Sequence, residues 1–251
     1  MRNPYRFTSS PELAQAVQKY LEEIYEPQIF ESYRISYMKK HHIQDEEPVS
    51  EDLGMPAREY YGDISKWDVS QIQDFSYLFS FPDDVMTDVA LEDTYRGITE
   101  NFDLDITSWN MSQATNLEGM FQGCEKFNQN IGKWNTSQVK NLKHTFSKCA
   151  RFNQKLLWDV SQVENMLGTF DNCFEYNQPL SDWNVSQVKN MRGMFMGCFK
   201  FNQNLSDWKM DTVQDVSWMF YKCQRLYQNF DTWDLSRIPK KQNIFLECPK
   251  I

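Results

Sequence analysis

A tryptophan-led unit of about 25 residues recurs down this chain, and any fold must satisfy that period first. Trp67, Trp109, Trp134, Trp158, Trp183, Trp208 and Trp233 each open a unit. The fullest runs from Trp183 through Val188, Met191, Phe195, Cys198 and Phe201 to Asp207, and Trp208 opens the next. A fixed period of this size marks an array of stacked units, none of which can bury its apolar edge alone. Repetition also restricts chemistry. An active site needs a unique constellation of groups, whereas a repeated residue is by definition not unique.

The columns of the repeat have physical meanings. One apolar column holds Leu117, Leu142, Met166, Met191 and Val216, and another holds Phe121, Phe146, Phe170, Phe195, Phe220 and Phe245. Met191, Met194, Phe195 and Cys198 lie at i, i+3, i+4 and i+7, which predicts a helical turn over 192–198. Flanking segments 188–191 and 201–205 read as short strands. Asn116, Asn141, Asn165 and Asn190, with Asp74 and Asp215, form a polar column suited to turns, and so do Asn128, Asn153, Asn177 and Asn202. Cys124, Cys149, Cys173, Cys198, Cys223 and Cys248 fall one per unit in a single column. A linear ladder of thiols does not converge on a metal, and parallel side chains do not meet disulfide geometry, so they read as core groups.

Outside the repeat, residues 1–59 read as a partly helical N-terminal cap. Ser10 before Pro11 marks a helix start, and Leu13, Val17, Tyr20, Leu21 and Ile24 share one face up to Tyr25. The repeat region is 60–251, interrupted by an acidic insertion within 80–101 and a one-residue deletion before Trp158. The final unit departs from the others through Pro239, Lys240 and Lys241, which would protect a terminal edge or mark a docking edge.

Charge narrows the partners. The net charge is −9, with nine Lys and Arg against 22 Asp and Glu in residues 1–107, and 17 against 13 in residues 108–251. No basic stripe interleaved with aromatics points to nucleic acid. No run of 18 apolar residues points to a membrane span. The beginning of the chain shows no apolar signal-peptide core, so an intracellular setting is expected, with a secreted or cell-surface one as the alternative. His41 and His42 are adjacent and cannot easily chelate together, His144 sits in a variable repeat position, and no nucleophile–base–acid set is evident. No cofactor, metal or catalytic residue is expected.

The pattern Trp-Asp/Asn-Val-Ser-Gln-Val-x-Asn-Met-x-x-Met-Phe-x-x-Cys-x-x-Phe-Asn-Gln resembles the BspA-like leucine-rich-type repeat family, also known as the mycoplasma-lipoprotein-type repeat of unknown function. Its members occur in bacterial and protist surface proteins and in large DNA viruses. The resemblance implies an α/β solenoid of leucine-rich-repeat type, with roughly seven turns of about 25 residues behind the N-terminal cap. The expected function is a non-catalytic protein-binding or structural scaffold, such as a component of a virion. The alternatives are a cell-surface adhesion module and, last, an enzyme built from the cap and insertion. The expected protein-contact residues are Asp83, Asp84, Asp88, Glu92, Asp93 and Tyr95 in the insertion, and Pro239, Lys240 and Lys241 at the end of the repeats. The partner is expected to be a protein, with assembly through the ends of the array.

Overall fold

A computed structural model of the chain describes residues 4–25, 56–80, 97 and 99–249. The units stack in register. A single parallel bridge joins each to the next: Asp74 to Asn116, Asn116 to Asn141, Asn141 to Asn165, Asn165 to Asn190, Asn190 to Asp215 and Asp215 to Lys240.

The expected α/β solenoid of leucine-rich-repeat type does not form. Among the described residues there is no β-strand or sheet. Regular helix is confined to α1 (Ser10–Tyr25), the one-turn α2 (Ala57–Tyr60), the 3-10 turns Ile64–Lys66 and Leu235–Arg237, and a short piece ending at Asn101. The segments expected as strands contain one bridge residue, Asn190, and no further regular structure. The expected helix over 192–198 is a run of tight turns.

The backbone shows why. Residues two and six positions after the Leu/Met column take left-handed φ: His144 (53°) and Lys148 (62°), Gly168 and Asn172 (both 57°), Gly193 (59°) and Gly197 (70°). A left-handed residue every fourth position is incompatible with either helix or strand. The chain instead closes successive turns, with the N–H groups of Thr145, Ser147 and Cys149 donating to the carbonyls of Leu142, His144 and Phe146. The alternate N–H groups, of Leu142, His144, Phe146 and Lys148, donate across to the carbonyls of Asn165, Leu167, Thr169 and Asp171 in the next unit. Each coil therefore points these donors toward the C-terminal end of the stack and receives from the coil before it.

Stacking turns the columns into ladders. Neighbouring rings from Phe79 to Phe245 lie 5.6 Å apart, nearly parallel. The indole N–H of Trp158 donates to the Ile131 carbonyl (3.0 Å), and that of Trp208 to Leu180 (3.0 Å). The side-chain oxygen of each bridging Asn or Asp accepts the N–H two residues on, as in Asn165 to Leu167 (3.1 Å). Asn128, Asn153, Asn177 and Asn202 each accept the N–H of the equivalent residue one coil later.

The first coil is covered by N-terminal residues. The Ser9 hydroxyl accepts the N–H of Glu12, whose carboxylate accepts the N–H of Thr8, so the helix is capped one residue earlier than Ser10. Leu13, Ala16, Val17 and Tyr20 of α1 are buried, and the Tyr20 ring meets Trp67 edge-on at 5.4 Å. Phe7 and Tyr5 pair with the backbone of Asp68. No helix among the described residues is long and apolar enough to cross a membrane.

Candidate functional site

Most polar groups of the repeat are already engaged in the fold. Each ladder thiol donates to the carbonyl of a phenylalanine one coil earlier, from Cys149 to Phe121 (3.0 Å) through Cys248 to Phe220 (2.9 Å). Burial pushes the thiols from Cys124 to Cys223 well above their ordinary range, which opposes the thiolate that nucleophilic or metal chemistry requires. The cysteines are free, and no group of three His, Cys, Asp or Glu among the described residues is placed to hold a metal. Glu118 takes hydrogen bonds from Tyr77 (2.7 Å), Lys143 (2.9 Å) and Asn141 (2.9 Å). Burial works to raise its carboxyl, but the bonds from Lys143, Tyr77 and Asn141 outweigh that and hold it below the usual range. It ties three coils together.

One side of the stack opens into a groove of about 410 Å³. Its floor and walls come from Leu167, Met196, His144, Trp218 and Tyr221, with the Arg192 guanidinium 4.7 Å above the Trp218 ring. Its cause lies in the first left-handed column: Tyr77, Gly119, His144, Gly168, Gly193, Trp218, Asn243. A Cβ at Gly168 would collide with the His144 ring, so that ring covers the glycine. A Cβ at Gly193 would meet only Met196, at 3.8 Å. Two successive glycines between a histidine and a tryptophan leave a gap one coil wide. Sequence reasoning passed over this site, although a signal was present. Trp218 is the one tryptophan among eight that leads no unit and lies outside the repeated column.

The expected contact residues fall in two places. Asp83, Asp84, Asp88, Glu92, Asp93 and Tyr95 lie outside the described residues, as do His41 and His42. Pro239, Lys240 and Lys241 are exposed on the last coil. Lys240 occupies the bridge column opposite Asp215, and the Lys241 ammonium donates to the carbonyls of Leu235 (2.7 Å) and Ser236 (3.3 Å). The groove and this last coil are separate surfaces, one on the side of the stack and one on its end.

These features define a repeat protein of turn-built coils, held by ladders of aromatic, thiol and amide side chains. The chain belongs to the family described as "Mycoplasma protein of unknown function, DUF285", whose model matches residues 89–157 and 156–251. No curated protein and no solved structure matches the chain.

Proposed function

We propose that this protein is a non-catalytic scaffold that binds other proteins, as a component of a larger assembly. The Trp218 groove carries the reading. Tryptophan, tyrosine and arginine are the side chains that most often dominate protein interfaces, and here Trp218, Tyr221 and Arg192 line one concavity with Met196 at its base. Trp218 holds a left-handed φ of 55° where three other coils use glycine. Such a backbone costs on the order of 1 kcal/mol for a bulky residue, and strain of this kind concentrates at functional positions. The engagement of the thiols and of the ladder amides in the fold supports a scaffold over a catalyst.

The test separates binding from folding. A photo-crosslinker at Met196 in the full chain is expected to capture defined protein partners. The Trp218→Gly variant should lose them while its melting temperature stays within about 3 °C of the parent, since relief of strain offsets lost packing. Capture of the same partners in the same amounts by Trp218→Gly would overturn the proposal.

A further inference from the structure

Two glycines of the first left-handed column are covered by rings, and the third is not. A Cβ at Gly119 would collide with the Tyr77 ring, and one at Gly168 with the His144 ring, so in both places a planar side chain from the coil before lies over the glycine. Gly193 follows Gly168 in the column, which has no side chain to lay over it, and a Cβ there would meet only Met196. The backbone is alike around the first and the third. The Tyr77 N–H donates to the Glu118 carbonyl (2.8 Å), and the Gly168 N–H donates to the Arg192 carbonyl (2.9 Å). Seated on Gly119, Tyr77 is only 5% exposed, and its hydroxyl donates to Glu118 (2.7 Å), the residue just before the glycine it covers. The residue just before Gly193 is Arg192.

We propose that the groove takes a tyrosine side chain of a partner protein, laid over Gly193 as Tyr77 lies over Gly119, with its phenolic oxygen accepting from the Arg192 guanidinium. This rests on the reading of the groove as a protein-binding surface and names what enters it. The chain's own pairing selects the occupant. At Gly193 no Cβ stands between a flat ring and the backbone, and Leu167 and Met196 line the same groove with apolar surface. Where Tyr77 meets a carboxylate, the incoming ring meets a guanidinium, which has donors only and so calls for an acceptor at the para position. Phenylalanine offers none. The Trp218 ring, 4.7 Å from the guanidinium carbon, holds that donor group at the groove. A phosphorylated tyrosine is a stronger acceptor, but the Asp171 carboxylate shares the lining and opposes a dianion.

The probe is N-acetyl-tyrosinamide, titrated into the full chain carrying methyl-labelled methionine, with the Met196 resonance assigned through Met196→Leu. A ring over Gly193 should shift that methyl saturably at millimolar concentration. N-acetyl-phenylalaninamide is expected to bind at least about fivefold more weakly, and Arg192→Leu to remove that preference while leaving the phenylalanine compound within about twofold. Gly193→Ala should weaken the tyrosine probe by at least about tenfold, because its Cβ takes the place of the ring. His144 and Trp218 carry side chains on the same left-handed backbone, so this variant should keep the fold, as unchanged methyl resonances elsewhere would show. The proposal is overturned if the Met196 methyl does not move, if the phenylalanine compound binds as tightly, or if the O-phosphorylated probe binds more tightly. A silent probe beside Trp218-dependent crosslinking would refute the tyrosine alone. A tyrosine-specific shift beside crosslinking that ignores Trp218 would refute the scaffold reading instead.

Discussion

Replacing Phe195 by alanine should cost far more than the same change at Phe245, although both occupy one column. Phe195 is fully buried and lies between Phe170 and Phe220, each 5.6 Å away, with Phe201 at 4.2 Å and Trp208 at 6.4 Å. A buried Phe→Ala change costs about 3–5 kcal/mol, and the upper half is expected where rings stack on both sides. Phe245 is only partly buried and contacts Phe220 and Phe230 from one side, so about 1–2 kcal/mol is expected there. At roughly 2–4 °C per kcal/mol for a chain of this size, Phe195→Ala should lower the melting temperature by about 8–20 °C and Phe245→Ala by about 2–8 °C. Urea titration with a shared m-value checks that both variants unfold from the same compact state. If Phe195→Ala proved no more costly than Phe245→Ala, stability would not reside in contacts between neighbouring coils, and the reasoning from columns would fail.

Two more outcomes follow from the ladders. Thiol labelling should begin at Cys248, which is only half-buried, and reach Cys124 to Cys223 only on unfolding, because burial both hides and neutralises them; mass-resolved labelling that found Cys173 as fast as Cys248 would contradict this. Trp158→Phe should destabilise by about 1 kcal/mol more than Trp134→Phe, since Trp158 donates to the Ile131 carbonyl while the buried Trp134 N–H meets no partner among the described residues, and paired denaturation curves of equal midpoint would refute it.

The period, the stacking columns and the helix of the cap were legible because each leaves residues of one kind at fixed spacing. Local conformation was not. Met191, Met194, Phe195 and Cys198 are all fully buried, as their helical spacing implies, yet a chain of turns with left-handed residues at Gly193 and Gly197 produces the same inward pattern as a helix. Periodicity reports which side chains face inward and is blind to φ. The glycines hinted at the turns, but His144, Lys148, Trp218 and Lys222 adopt the same backbone without announcing it. The thiol ladder was placed correctly in the core, while its bonds to phenylalanine carbonyls became visible only once adjacent coils were in register. The groove escaped notice because it is made of side chains that are missing, at Gly168 and Gly193, beside a tryptophan that the repeat does not require.

Successive bridge residues are 42, 25, 24, 25, 25 and 25 positions apart in sequence, yet the bridges form one unbroken series. Register is thus kept along the bridge seam and along the side-chain ladders, and length changes only at positions between them. A residue lost near Leu157, which is left 62% exposed, disturbs no bridge above or below it. Such a molecule can vary by insertion as readily as by substitution. Loops hung at positions between the ladders leave the neighbouring coils in register, and the added closure entropy grows only slowly with loop length.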